Sequence, residues 1–154
     1  TTTTPVGSVL RGKTQDAKPM AILMMMHNCE YVATASTAFM DDYYDKLEKA
    51  IQAAKKGMAY LHVFSPCPTG WRFPPAKLIE VSRKGVETNM VPLWEYQKDK
   101  GKLRFTHSID NPLPVQDYLK LVGKFRHMDP EQIAHIQGHV DKTIRTLKGF
   151  ASAE

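Results

Sequence analysis

The sequence predicts an α/β layer with parallel strands, on three observations. Helix-like and strand-like stretches alternate in the order helix–strand–helix–strand–helix. The strand-like runs are short and apolar, as strands covered on both faces are. The 154 residues, 42% hydrophobic and 24% charged, suffice for one domain with its own core. Right-handed crossovers would then carry the loop after the second strand to the carboxyl edge of the sheet, where ligands of open α/β sheets sit.

Each element has a local reason. Thr1 to Gly12, rich in Thr and Gly with Pro5, reads as an extended entry segment. Lys18 to Asn28 reads as a helix with Pro19 in its first turn and apolar residues on nearly every side. Tyr31-Val-Ala-Thr-Ala35 is a β-prone run expected to be buried. Asp41 and Asp42 open a helix to about Lys56, acidic at its start and basic at its end as the helix dipole favours. Leu47, Ala50, Ile51 and Ala54 give it an apolar stripe, and Gly57 ends it. Met58 to Phe64 is the second expected buried strand. Ser65 to Gly70 reads as an irregular loop, because two prolines and a glycine fall within it. Pro74 and Pro75 lead a helix from Ala76 to about Thr88. Leu93–Tyr96 and Lys102–Thr106 form a hairpin around Lys98 to Gly101. After the linker Asn111 to Pro114 come a short helix, Val115 to Leu121, and a final helix led by Asp129-Pro130. Ile133, Ile136, Val140, Ile144 and Leu147 line one face of that last helix and need a surface to bury against.

The formal charge of +5 is spread along helices rather than gathered with aromatics. A solvated basic surface, or docking of an acidic protein, is therefore expected rather than nucleic acid. No apolar run approaches the roughly 18 residues of a membrane helix. The sequence opens on Thr1 rather than Met, so something upstream is expected to be missing, and no secretory signal is expected from the residues given. Its two cysteines are too few for a disulfide framework, so reduced thiols in a cytoplasm are expected.

Chemistry concentrates in the loop Ser65-Pro-Cys-Pro-Thr-Gly-Trp71. Its cysteine is framed by prolines at a strand end. A thiolate there suits a metal ligand or a nucleophile, and an inert buried cysteine is the commoner role on composition alone. A nucleophile needs a base such as His62 or His107 nearby, and a cluster ligand needs further cysteines, usually four in all. His135 and His139 share metal-site spacing but lack a third ligand, and read as surface or interface histidines. His27 and His62, in apolar stretches, read as core or interface residues. Asp41-Asp42 is explained by its place in a first helical turn. Thr1 to Thr4 could offer hydroxyls to a phosphate, but no phosphate-cradling glycine loop is present.

Several stretches occur together and in order: Thr1-Thr-Thr-Thr-Pro-Val-Gly7, Tyr31-Val-Ala-Thr-Ala-Ser36, Phe64-Ser-Pro-Cys-Pro-Thr-Gly-Trp-Arg72, Val86-Glu-Thr88, Pro92-Leu-Trp-Glu-Tyr96 and Tyr118-Leu-Lys-Leu-Val-Gly-Lys-Phe-Arg126. With them the chain resembles the β subunit of pyruvate synthase and related 2-oxoacid:ferredoxin oxidoreductases, from Thr1 to about Lys148. The resemblance implies the second half of a thiamine-diphosphate-binding domain, Rossmann-like with a mostly parallel sheet, over residues 1–106. A linker and helical extension for subunit contact would follow over residues 107–154. It implies CoA-dependent oxidative decarboxylation of a 2-oxoacid, with electrons passed through iron–sulfur clusters to ferredoxin. Thiamine diphosphate with Mg2+ and a [4Fe–4S] cluster are the implied cofactors. The other subunits of the complex are the implied partners. Pyruvate is the default substrate, with aromatic or branched oxoacids such as phenylglyoxylate open.

Within the resemblance, Cys67 takes the role of fourth ligand to the cluster nearest thiamine, Cys29 is structural, and Trp71 packs under the loop. The family's remaining cluster cysteines, its Gly-Asp-Gly magnesium–diphosphate motif and the Asn-Thr-Gly stretch are not in this sequence. Both cofactors would therefore be completed by residues outside this chain.

Overall fold

A computed structural model describes residues 16–152. The chain forms α1 (Met20–Met26), β1 (Tyr31–Ser36), α2 (Met40–Ala53), β2 (Ala59–Phe64), α3 (Pro68–Trp71), α4 (Leu78–Glu87), β3 (Trp94–Gln97), β4 (Lys102–Phe105), α5 (Val115–Leu119) and α6 (Pro130–Ser152). Single 3-10 turns lie at Pro75–Lys77, Lys98–Lys100 and Gly123–Phe125. The predicted helices, strands and hairpin are present, their ends shifted by a few residues. None of the helices is long and apolar enough to cross a membrane, among the described residues.

The four strands form one sheet in the order β2-β1-β3-β4. β1 pairs with β2 in parallel, from Tyr31 opposite Ala59 to Ser36 opposite Phe64. It pairs with β3 antiparallel, and β3 with β4 antiparallel. The expectation of a mostly parallel sheet is corrected: the sheet is mixed. The reason is local. β1-α2-β2 and the β2-to-β3 connection both contain a helix, so a crossover alone does not decide the direction of β3. The chain leaves α4 beside the carboxyl end of β1, so β3 must run back along it.

β1 is buried at every residue because it has strand neighbours on both sides and side chains covered on both faces. Val32 joins Trp94, Leu103, Cys29, Ala21 and Met25 on one face, where Leu147 of α6 also packs. Tyr31 and Ala33 point the other way, toward Ala50 of α2. A further core holds Phe73, Val81, Val115, Tyr118, Leu119, Val122 and Val140. The apolar face of α6 is thus covered by this chain itself along Val140, Ile144 and Leu147.

Two burial expectations are corrected. β2 is an edge strand, with His62 and Val63 exposed, because no described strand lies on its outer side. The inward stripe of α2 is rotated: Ile51 is 55% exposed while Lys46 is fully buried. A lysine can occupy that place because its ammonium finds three acceptors. It donates to the Thr34 carbonyl at 2.8 Å, the Asp42 carboxylate at 2.7 Å and the Thr106 hydroxyl at 2.7 Å.

A second buried charge lies on β3. Glu95, 4% exposed, accepts from Arg104 at 2.6 Å, Lys49 at 3.0 Å and the Tyr31 hydroxyl at 2.9 Å. Burial alone would raise its carboxyl, but the bonds from Arg104, Lys49 and Tyr31 outweigh it and hold the group below the ordinary carboxylate range. A carboxylate depressed in the fold contributes stability that is present above its unfolded pKa and lost as pH falls through the folded one. Chemical denaturation across pH should show that acid limb, and Glu95→Gln should flatten it while lowering stability at neutral pH. An unchanged pH profile in the variant would refute the assignment. Lys46→Ala strands the Asp42 carboxylate and the Thr34 carbonyl, and should cost about 3 kcal/mol in the same measurement.

Candidate metal-ligand site

The site begins where β2 ends. Phe64 packs its ring against Gly85 of α4, where an added methyl would lie 2.7 Å from the ring. This close approach of helix to strand fixes the direction in which the chain leaves the sheet. Pro66 is buried and Cys67 is exposed, three residues beyond the carboxyl end of β2 as the topology predicted.

The Pro-Cys-Pro-Thr-Gly stretch is not irregular throughout. Pro68 to Trp71 make one helical turn, because proline at a first helical position lacks only an N–H that has no helical partner anyway. Cys67 caps this turn, and its sulfur accepts the Gly70 N–H at 3.4 Å. Its carbonyl accepts the Trp71 N–H at 2.9 Å, and the Phe73 N–H bonds the Pro68 carbonyl at 3.1 Å. The sulfur is thus outward, and its orientation is held by backbone.

Behind the turn, Trp71 packs on Phe64 at 5.8 Å between ring centroids. Lys124 places its ammonium 3.6 Å from the Trp71 ring centre and 4.9 Å from that of Phe125. Lys124 is 9% exposed, and burial pushes its ammonium down to about 8. Next to it, Gly123 passes so close under Arg72 that a side chain would collide with the Arg72 carbonyl oxygen.

Of the other predicted residues, Cys29 is wholly buried, and burial raises its thiol. His62 and His107 supply no base to Cys67, whose sulfur has only the Gly70 N–H as a hydrogen-bond partner among the described residues. His62 is exposed beside Tyr60, and His107 packs tilted against Phe39 at 4.8 Å between ring centroids. His27, expected in a core or interface, is exposed in this chain. His135 and His139 do share a face, and both reach Asp16, at 3.1 and 3.3 Å. Asp42 pairs with Lys46, and Asp41 is exposed. Thr1 to Thr4 lie outside the described residues. Lys124 went unnoticed in the sequence reading; its one sequence cue is a lysine enclosed by Leu121, Val122 and Phe125.

An ordered, outward sulfur that accepts a backbone N–H has the chemistry of a thiolate ligand, since N–H···S bonds help set cluster potentials. Among the described residues no group of three or more His, Cys, Asp or Glu could hold a metal ion. Cys67 therefore fits as one corner of a cluster, not as a whole site.

The chain is homologous over nearly all its length to β subunits of 2-oxoacid:ferredoxin oxidoreductases. It is 62% identical over 140 residues to the β subunit of the NADH-dependent phenylglyoxylate dehydrogenase of Aromatoleum evansii, covering 91% of this chain and 31% of that protein. It is 38% identical to the pyruvate synthase subunit PorB of Methanocaldococcus jannaschii, covering 96% of this chain and 48% of the relative. It is 36% identical to the ketoisovalerate oxidoreductase subunit VorB of Pyrococcus furiosus, covering 98% of this chain and 48% of the relative. The chain thus spans half or less of the length of these curated relatives. No family model matches it.

The two cysteines should separate cleanly by access. Alkylation of the native chain should modify Cys67 quickly and Cys29 only after unfolding, as read by peptide mass. Equal labelling of both under native conditions would contradict the burial described.

Proposed function

We propose that this chain is the part of a 2-oxoacid oxidoreductase β subunit that supplies Cys67 as a ligand to a [4Fe–4S] cluster. The carrying observation is the Cys67 turn, which holds one exposed sulfur at the carboxyl edge of the sheet. Homology to subunits of three such oxidoreductases supports the reading. In it, residues 1–106 are the second half of a thiamine-diphosphate-binding domain, and residues 107–154 a helical segment meeting a neighbouring subunit. The residues that would hold thiamine diphosphate and Mg2+, and the cluster's other corners, lie outside this chain. Thiamine diphosphate, when bound, supplies the electron sink for decarboxylation. This chain's own contribution is to orient one thiolate.

The reaction proposed for the whole protein converts a 2-oxoacid and coenzyme A to acyl-CoA and carbon dioxide, releasing one proton and two electrons. The substrate is an aromatic 2-oxoacid of the phenylglyoxylate type. The pyruvate expected by default gives way here, because identity to the phenylglyoxylate relative is 62% against 38% to a pyruvate synthase subunit. The name of the first relative includes NADH, so the assay should offer both NAD+ and ferredoxin as acceptors.

In the purified complex, CoA-dependent oxidation of phenylglyoxylate should exceed that of pyruvate and of ketoisovalerate in kcat/KM. A preference for pyruvate would return the substrate to the default. Cys67→Ser should remove up to roughly four irons per β subunit and strongly reduce electron transfer, while leaving the subunits assembled. Full iron content and turnover in that variant would exclude Cys67 as a ligand.

A further inference from the structure

We propose that Lys124, seated by Gly123, is a positioning residue for the Cys67 sulfur, fixing the ligand turn from behind and placing a buried positive charge beside it. This rests on the reading of Cys67 as a cluster ligand. Three observations carry it.

The first is Lys124 itself. A lysine is rarely buried without a counter-charge. Lys124 is 9% exposed, yet its ammonium meets only the rings of Trp71 and Phe125 among the described residues. A cation over an indole face is attracted by the ring quadrupole, more strongly when water is excluded. The arrangement pins Trp71, the last residue of the turn that Cys67 caps.

The second is the backbone at Arg72. Among the described residues, four non-glycine residues have positive φ: Asn28, Asn89, Asn111 and Arg72. Asparagine tolerates that region, and arginine does so at a cost. Such a conformation persists where its surroundings over-determine it. Here the surroundings are Gly123, whose missing side chain lets the two backbones touch, and the buried Phe73 on the other side.

The third is connectivity. The Gly123–Phe125 turn joins α5 to the approach to α6, and Val122 and Phe125 lie in the same core as Phe73 and Trp71. The seat of the ligand turn is therefore built by a segment more than fifty residues further along the chain, anchored in the helical core. Any anionic centre bound at Cys67 would sit within about one helical turn and one ring of a fixed cation, on the order of 10 Å. A cation at that place favours the more reduced, more negative state and so raises the potential.

The test uses the assembled complex with Lys124→Met, Lys124→Gln and Lys124→Arg, alongside Cys67→Ser. The readouts are iron content and an EPR-monitored redox titration of the cluster that Cys67→Ser abolishes. Lys124→Met should keep the iron, shift the midpoint to more negative potential and broaden the EPR lines, and Lys124→Arg should restore both. Lys124→Gln, neutral and still polar, should give the same shift and stands in if the methionine variant fails to assemble. A wild-type midpoint and line shape in either neutral variant would overturn the proposal, with the reading of Cys67 intact. A cluster that survives Cys67→Ser would instead overturn that reading, and this one with it.

Discussion

The carboxyl edge of the sheet is organised by one buried pair, Thr34 and Lys46. The Thr34 hydroxyl donates to the Pro92 carbonyl at 2.7 Å and accepts the Trp94 N–H at 3.0 Å, tying the start of β3 to β1. The Thr34 carbonyl receives the Lys46 ammonium, which also reaches back to Asp42 and across to Thr106 beyond β4. Strand, helix and hairpin end thus meet on one nitrogen. Burying an ammonium is costly, and burial does push Lys46 below the ordinary lysine range despite the Asp42 carboxylate beside it. The cost is offset only while all three acceptors are in place. That makes the arrangement specific: a small shift of α2 along the sheet would leave a bare charge in the core.

This constraint reaches the Cys67 turn through strand register. β2 follows β1 residue for residue up to Ser36 opposite Phe64, and the Thr37 N–H bonds the Phe64 carbonyl at 3.3 Å. Pinning the end of β1 therefore sets where β2 ends. Phe64 is then caught between Gly85 and Trp71, and the chain has little choice of exit. The turn has two supports of different kinds: sheet register in front, and the helical core with Gly123 and Lys124 behind.

These two supports were unequally legible in the sequence. Alternation of helix and strand signals placed β1, α2, β2 and the β3–β4 hairpin, because those patterns are local. The Pro-Cys-Pro stretch drew attention for its own composition, and its position beyond β2 followed from topology. What failed was everything that depends on partners far away. The direction of β3 depends on where α4 ends, so the sheet was read as more parallel than it is. Ile51 looked like a core residue, because the acceptors that draw Lys46 inward in its place lie on β1 and beyond β4. Lys124 carried only the weak signal of its apolar neighbours, since its contact with Trp71 joins residues over fifty positions apart. Pro68, read as a breaker, begins a helical turn because only its position relative to the Cys67 cap decides which it does.

The two cysteines show why the functional reading rests on placement rather than on residue type. Cys29 is sealed among Ala21, Met25, Val32 and Trp94, its sulfur surrounded by carbon, and burial raises its thiol further from the thiolate. Nothing charged could be accommodated there without breaking the core. Cys67 is open to solvent, yet every flanking residue that fixes it is held: Pro66 is buried, Gly70 donates to the sulfur, Trp71 is under Lys124, and Phe73 is in the core. An inert surface cysteine has no use for such support, and an inert core cysteine has no use for such exposure. The ligand role proposed for Cys67 needs both, because a sulfur that met a cluster completed by other polypeptide would have to present one open side and hold still. The combination separates position 67 from position 29, and it depends on the sheet register and the buried lysines as much as on the prolines that frame it.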